Sequence, residues 1–113
     1  MLLTAAQVLA QDQNWISVKR ASPREGASAL FLSRTEAYAR TKDTPLDIAY
    51  SALYAQHAQF LLYDSRQNLL VHLEDLPQVG IVQLESRGLA PGNYKYALAV
   101  NGRVVFRRKL KVI

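Results

Sequence analysis

Cysteine is absent from the 113-residue sequence, and its absence excludes several kinds of chemistry at once. The chain can have no disulfide framework, no thiolate nucleophile and no cysteine-ligated metal. Stability must therefore come from the packing of apolar side chains. Long apolar runs are also lacking, since no stretch approaches the length of a membrane-spanning helix, about 18 residues. No integral membrane segment is predicted.

Histidine is scarce, and familiar catalytic motifs are missing. His57 and His72 are the two histidines, whereas a zinc site normally needs three or four ligands drawn from His, Cys, Asp and Glu. His72 lies close to Glu74 and Asp75, which fits an acid cluster or the solvated charges of a hairpin equally well. No serine has a Gly-x-Ser-x-Gly context, and no glycine-rich phosphate loop appears. We therefore predict a non-enzymatic protein with no cofactor, no metal site and no catalytic residue.

The composition that remains is that of a folded, basic domain. Apolar residues make up 50% of the chain and charged residues 20%, which is far from the signature of disorder. A chain of this length forms one domain with one core. The net charge of +5 favours anionic neighbours, such as nucleic acid or an acidic protein surface.

The first ten residues (MLLTAAQVLA) are mostly apolar and give way abruptly to polar residues 11–14. They resemble a truncated secretory signal in their small residues around Ala10, but they lack a basic start and a long apolar core. The alternative is an N-terminal arm over residues 1–14, helical or extended, before a single β-sandwich domain over residues 15–113. Ten residues cannot bury their own apolar side chains, so we expect contacts with a neighbour through Leu2, Leu3, Val8 and Leu9.

Two short strands and a linker are predicted next. Residues 15–19 and 28–33 have strand-like composition, and Pro23 and Gly26 supply turn chemistry between them. Residues 34–43 are polar and alanine-rich with no clear period. They are predicted to be a linker, or at most one turn of helix.

Residues 44–63 (TPLDIAYSALYAQHAQFLLY) fit two structures. Thr44 and Pro45 suit the start of a helix, and the alanines suit its continuation. Alternating apolar residues from Leu46, together with the compact run before Asp64, suit two strands instead. Local patterns leave helix and strands open.

The rest of the chain has strand patterns separated by turn residues. Strands are predicted at 69–73, 81–84, 94–100 and 103–113. The last two flank Asn101-Gly102, the dipeptide favoured in two-residue type I′ hairpin turns. This hairpin is the firmest local prediction.

From about Leu46 to Ile113 the chain resembles a known family. The sequence LAPGNYKYALAVNGRVVFRRKLKVI, and the alternating strands before it, are similar to the type A C-terminal sorting domain of the bacterial type IX secretion system. Agreement is best at Leu89, Gly92, Tyr94, Asn101-Gly102 and the basic residues before Leu110. Gln67 stands where the family usually has glycine, and the family's Asn-Pro-rich opening is absent.

The resemblance implies an immunoglobulin-like β-sandwich that docks to a secretion or surface apparatus, with an extracellular or cell-surface location in a bacterium. Only about 45 residues precede the matching part, which leaves little room for a cargo domain. The same fold could serve a related extracellular or virion assembly. We therefore predict a mainly all-β, immunoglobulin-like antiparallel sandwich with a docking or assembly role.

The apolar residues of the two hairpin strands are out of phase. A two-residue turn without irregularity puts Tyr94, Tyr96 and Leu98 on one face with Arg107, and leaves Phe106 on the other. Either a β-bulge shifts the register, or both faces meet apolar surface, one of them on a partner. Given the apolar arm, the second option indicates assembly.

A protein partner or self-assembly is therefore the leading hypothesis, and a small basic nucleic-acid-binding protein is the alternative. Nucleic acid would use phosphate contacts and aromatic stacking, whereas the bland interpretation of the same charges is an edge strand protected against aggregation. The predicted partner-binding residues are those of the arm (Leu2, Leu3, Val8 and Leu9) together with Tyr94, Tyr96, Phe106, Arg107, Arg108 and Lys109.

Overall fold

Nine β-strands form the secondary structure of the described residues, which include no α-helix. The computed structural model describes residues 15–22, 28–35, 37–39, 44–85 and 88–113. The predicted N-terminal arm lies outside them. In chain order the strands are β1 (Ile16–Arg20), β2 (Leu30–Leu32), β3 (Ala37–Tyr38), β4 (Leu46–Ala52), β5 (Ala58–Asp64), β6 (Leu69–Leu73), β7 (Val79–Leu84), β8 (Gly92–Val100) and β9 (Arg103–Val112).

The strands form two sheets that share one core. The four-stranded sheet has the order β1-β7-β4-β2, and the five-stranded sheet has the order β3-β9-β8-β5-β6. All neighbours are antiparallel except β3 and β9, which are parallel. Strands β4 and β7 thus pair in one sheet while β5, β8 and β9 lie in the other, as in immunoglobulin-like sandwiches. The predicted all-β sandwich is confirmed.

The core lies between the inner faces of the two sheets. Phe60 and Tyr96 of the five-stranded sheet are fully buried and stack with ring centroids 6.1 Å apart. Burying a side chain of this size contributes about 1.5–3 kcal/mol. The other large, fully buried side chains come from both sheets and include Leu32, Ile48, Tyr50, Leu62, Val71, Val82, Leu84, Leu98, Leu110 and Val112.

The ambiguous segment 44–63 forms strands β4 and β5, so the two-strand alternative is correct. Leu46, Ile48 and Tyr50 are buried, whereas Asp47 between them is exposed. This period of two matches a strand with one face on the core. The alternating burial outweighs the helix propensity of the alanines, because a helix would scatter these side chains around its circumference.

The predicted hairpin is present, and its turn has the expected conformation. Asn101 and Gly102 both have positive φ, at 52° and 82°, as a type I′ turn requires. The Asn101 side-chain oxygen also accepts hydrogen bonds from the backbone N–H groups of Gln56 and His57, at 2.9 and 3.0 Å. The turn therefore fixes the β4–β5 loop as well as its own hairpin.

A β-bulge resolves the mismatched faces of this hairpin. The register shifts opposite Leu98 and Ala99, so that Ala99 pairs with Val104 while Leu98 pairs with Phe106. Val105 is the additional residue. Beyond the bulge Tyr96 lies opposite Arg108, not opposite Arg107 as an uninterrupted register predicts. The first of the two options is correct, and the register gives no reason for a partner on both faces.

The residues that carry the family resemblance have a structural role at the start of β8. The Tyr94 hydroxyl donates a 2.6 Å hydrogen bond to the carbonyl oxygen of Ala90, four residues upstream, and Leu89 is buried in the core. This is the tyrosine corner found in immunoglobulin-like sandwiches. The motif LAPGNY therefore reports the fold.

Strand β3 was not predicted, because it lies in the segment interpreted as a linker or a turn of helix. It is two residues long and pairs in parallel with Lys111 and Val112 of β9. Tyr38 is buried, and its hydroxyl donates to the Thr44 carbonyl oxygen at 2.7 Å. So short a strand depends on this long-range pairing and leaves little trace in local sequence.

Candidate functional site

The outer face of the five-stranded sheet has an apolar centre. Leu61, Ala97 and Ala99 form a small apolar cluster separate from the main core, with Tyr63 packed against it. They alternate along β5 and β8 with core residues, so they point away from the sandwich interior. Their exposed fractions are only 9%, 1% and 4%. An antiparallel sheet facing water normally presents polar side chains instead.

Cations border this apolar centre along β8 and β9. Arg107 lies opposite Ala97, and Lys109 lies opposite Lys95. Tyr63, Lys95, Ala97 and Arg107 contribute to an open groove of about 280 Å³. The Lys95–Lys109 pair places like charges on directly opposed positions, an arrangement that destabilises a sheet. This face thus combines a closely packed apolar floor with a basic rim.

The upper part of β9 is an open sheet edge. Strand β3 covers only Lys111 and Val112, so residues 103–110 have no strand neighbour on that side in the described part of the chain. The bulge at Val105, the inward-facing Arg108 and the outward lysine and arginine residues are the features that natural proteins use to prevent edge-to-edge pairing. The interpretation of these charges as edge protection is consistent with this geometry.

Arg108 is held in a defined position beneath the edge. It faces the core side of the hairpin, opposite Tyr96. Its guanidinium carbon lies 5.1 Å from the centroid of the Phe106 ring, a cation–π distance. Its Nε lies 3.4 Å from the Leu32 carbonyl oxygen, a long hydrogen bond.

Arg34 is fixed nearby through the buried hydroxyl of Tyr96. That hydroxyl donates to the Ser33 carbonyl oxygen at 2.6 Å and accepts from the Thr35 N–H at 3.0 Å. The two hydrogen bonds bracket Arg34 in the chain. Burial raises the pKa of Tyr96, and the positive charges of Arg108 and Arg34 oppose this rise. Both guanidinium groups therefore act electrostatically on the same hydroxyl.

The described residues that line one depression on the edge are all cations. Its volume is about 380 Å³, and its lining residues are Arg34, Arg107, Arg108 and Lys109. The described carboxylates whose partners are known lie elsewhere: Asp47 accepts from Gln83, Asp64 accepts from Asn68, and Glu74 lies beside His72. No described acidic residue lines this depression.

The predicted partner-binding residues do not form one surface. Tyr96 is fully buried, and Phe106 faces inward with only partial exposure. Tyr94 is used in its tyrosine corner. Of the others on the hairpin, Arg107 and Lys109 are exposed and Arg108 is half-buried. The predicted residues of the arm, Leu2, Leu3, Val8 and Leu9, lie outside the described residues.

Comparison with known proteins gives no identification. Neither the family models nor the curated proteins contain a match to this chain. The site is therefore interpreted from its own geometry.

Among the described residues, neither histidine belongs to a group of side chains that could hold a metal ion. The His72 Nε2 lies 3.5 Å from a Glu74 carboxylate oxygen, too far for a good hydrogen bond, and has no other partner. His57 is exposed in the β4–β5 loop. Within the described ranges, no three His, Asp or Glu side chains are grouped as metal ligands, and no helix there is long and apolar enough to cross a membrane.

The sequence did not reveal most of the surface residues described above. Nothing in the sequence distinguishes these residues from other strand residues before the sheet face that each occupies is known. They are Leu61, Tyr63, Ala97 and Ala99. Arg34 belongs to the segment interpreted as a linker, and only the folded arrangement of the chain brings it close to the exposed edge of β9. The one available signal was the run of consecutive apolar residues in β5 and again in β8, because such a run indicates a strand covered on both faces.

Proposed function

We propose that this chain is a non-enzymatic docking module whose outer five-stranded sheet binds an acidic protein partner. The observation that carries the proposal is the open groove on this face, where Tyr63 and the exposed Val104 contribute apolar surface and Lys95 and Arg107 contribute positive charge. Protein interfaces commonly combine an apolar centre with a polar rim. The rim here is cationic, so a complementary surface carries carboxylates around an apolar projection.

The like-charged Lys95–Lys109 pair supports an acidic partner. Two opposed lysines weaken the hairpin in the free protein, whereas a carboxylate placed between them would reverse the sign of that interaction. Self-association through this face would bring two basic rims together, which electrostatic repulsion disfavours. A different, acidic protein is therefore favoured over a second copy.

We propose the bacterial cell surface or a secretion apparatus as the setting, in line with the similarity to type IX sorting domains. The support is the immunoglobulin-like sandwich with its tyrosine corner, which is compatible with that family. Fusion of the chain to the C-terminus of an exported fluorescent reporter, in a bacterium with a type IX apparatus, tests this setting. Surface display of the reporter is expected, and retention in the periplasm would contradict it.

Site-specific photo-crosslinking in the cells that make the protein tests the docking face. A photoreactive amino acid at Val104, which is 38% exposed and lies beside the apolar centre, should give a discrete adduct. The same group at Tyr63 should give an adduct of the same mass. Matched controls are Ser17 and Lys19, exposed positions on β1 of the other sheet.

Each outcome of this crosslinking experiment bears on the proposal. Adducts of one mass from both face positions, and none from β1, support it. The adduct should also weaken on Lys95→Glu substitution, because the rim loses its complementarity. Equal adducts from both sheets, or none from the five-stranded sheet, would overturn the docking face.

Nucleic-acid binding is the second candidate, and the run of cations along β9 favours it. Binding of this kind depends strongly on salt, since each phosphate contact releases counterions. A mobility shift with DNA or RNA, lost on combined Arg107→Glu and Lys109→Glu substitution, would promote it. Arg103→Glu is the matched control on the same strand.

A further inference from the structure

The cationic depression at the edge of β9 shares Arg107 and Lys109 with the basic rim of the docking face but differs from that face in chemistry. Arg34, Arg107, Arg108 and Lys109 line it, and they are the only lining residues in the described part of the chain. Arg34 comes from the segment that joins β2 to β3, so the depression lies where the two sheets meet. Four cationic residues from two distant parts of the chain line one small space.

The fold holds the side chain of Arg108 and the backbone on both sides of Arg34, whose own side chain is exposed. The Tyr96 hydroxyl holds the backbone on both sides of Arg34. Phe106 and the Leu32 carbonyl oxygen hold the Arg108 side chain. Groups that are already ordered lose less conformational entropy on binding a ligand than free surface side chains do. An edge that needed only protection from aggregation would not require such ordering.

The ligand chemistry follows from the number and identity of the cations. A carboxylate carries one negative charge and two oxygens in one plane, which satisfies a single guanidinium fork. A phosphomonoester carries about −1.5 to −2 charges and three terminal oxygens at neutral pH. Arginine binds phosphate bidentately, and lysine adds a point charge. Several donors converging from different directions therefore match a phosphomonoester better than a carboxylate.

We propose that Arg34, Arg107, Arg108 and Lys109 form a binding site for a phosphomonoester group, carried by a free small molecule or by a lipid headgroup. The site does not rest on the docking function of the outer sheet face. Arg108 supplies the ordered side chain of the site, Arg34 projects from a backbone segment that Tyr96 holds, and Arg107 and Lys109 close the site from the exposed side of β9.

Titration of the ¹⁵N-labelled protein with inorganic phosphate, at constant ionic strength set with chloride, tests the site by NMR. Saturable shifts of the arginine Nε–H signals and of β9 amides are expected. Arg34→Gln and Arg108→Gln should each weaken binding at least about tenfold, as expected for lost hydrogen bonds to a charged group. Arg103→Gln, on the same strand but outside the depression, should leave the affinity unchanged.

The amide spectrum of each variant first establishes that it is folded, and Arg107→Gln replaces Arg108→Gln if the latter unfolds. Glycerol 3-phosphate and vesicles of phosphatidylcholine with phosphatidic acid then distinguish a free phosphate from a lipid headgroup. Shifts that never saturate, or an Arg103→Gln variant weakened as much as Arg34→Gln, would mean diffuse electrostatics and would overturn the site. Arg34→Gln should still give the crosslinks at Val104, so that the site and the docking face can fail separately.

Discussion

Substitution of Tyr96 by Phe tests how the segment between β2 and β3 is attached to the β8–β9 hairpin. The ring would keep its place against Phe60, so no cavity forms. Only the hydroxyl is lost, together with its hydrogen bonds to Ser33 and Thr35 at 2.6 and 3.0 Å. Each intramolecular hydrogen bond contributes about 0.5–1.5 kcal/mol, and each buried group left unpaired costs about 1–3 kcal/mol. Since both backbone groups are only partly buried, we expect destabilisation of about 2–4 kcal/mol.

Urea denaturation followed by tryptophan fluorescence or circular dichroism measures this loss. The midpoint should fall while the slope with denaturant stays constant, because the surface exposed on unfolding is unchanged. Tyr94→Phe is the matched control, since it removes a single exposed hydrogen bond to Ala90 and should cost about 0.5–1.5 kcal/mol. Equal losses for the two variants would refute the reasoning that the Tyr96 hydroxyl is a double anchor. Phosphate binding should also weaken in Tyr96→Phe although no charge has changed, because Arg34 is no longer held.

Three further predictions concern the hairpin turn, a crowded glycine and alkaline pH. Asn101→Gly keeps a residue that adopts positive φ but removes the acceptor of two loop amides, so chemical denaturation should show a loss of about 1–2 kcal/mol; an unchanged midpoint would contradict it. Gly80→Ala would place a Cβ atom 2.7 Å from both the Lys19 carbonyl oxygen and the Tyr50 hydroxyl, and this crowding should cost about 1–3 kcal/mol in thermal or urea unfolding, whereas a neutral effect would show that β1 yields easily. Burial raises the pKa of Tyr50 from 10.0 to about 12, so its neutral form stabilises the fold below pH 10 and this contribution is lost as the pH rises from 10 to about 12. Tyr96 also has a raised pKa, so an ultraviolet titration should show late-titrating tyrosines whose amplitude Tyr50→Phe reduces, and simultaneous titration of all tyrosines would contradict the prediction.

Local sequence patterns predicted most of the strands because each of them buries one face. The alternation in residues 46–52 and the Asn101-Gly102 dipeptide fix local geometry through side-chain burial and turn conformation alone. The bulge at Val105 was left as one of two options, because a valine is as suitable for a regular strand as for a bulge. Its position depends on which residues of β9 fill the core, with Phe106 and Leu110 selected by packing against β8.

The candidate sites were predicted less completely than the fold. The cluster of Arg107, Arg108 and Lys109 is visible as a run of charge, but the sequence does not show that Arg108 turns inward. Arg34 lies more than sixty residues earlier, and its approach depends on Tyr96, whose hydroxyl bonds span 61 and 63 residues. Facing direction and long-range approach are properties of the register and of the sandwich, and no local pattern encodes them.

The pairing of β3 with β9 also has a consequence for the order in which the chain folds. During synthesis β9 follows every other described strand, and it is the only described strand that β3 joins. The segment around Ser33 likewise cannot form its hydrogen bond with the Tyr96 hydroxyl until β8 has been synthesised. Contacts between such distant residues must close long loops first, so folding is slow compared with that of helical proteins of this size. A nascent chain that lacks the β8–β9 hairpin therefore remains incompletely folded and accessible to chaperones. It completes both sheets only after that hairpin has been synthesised.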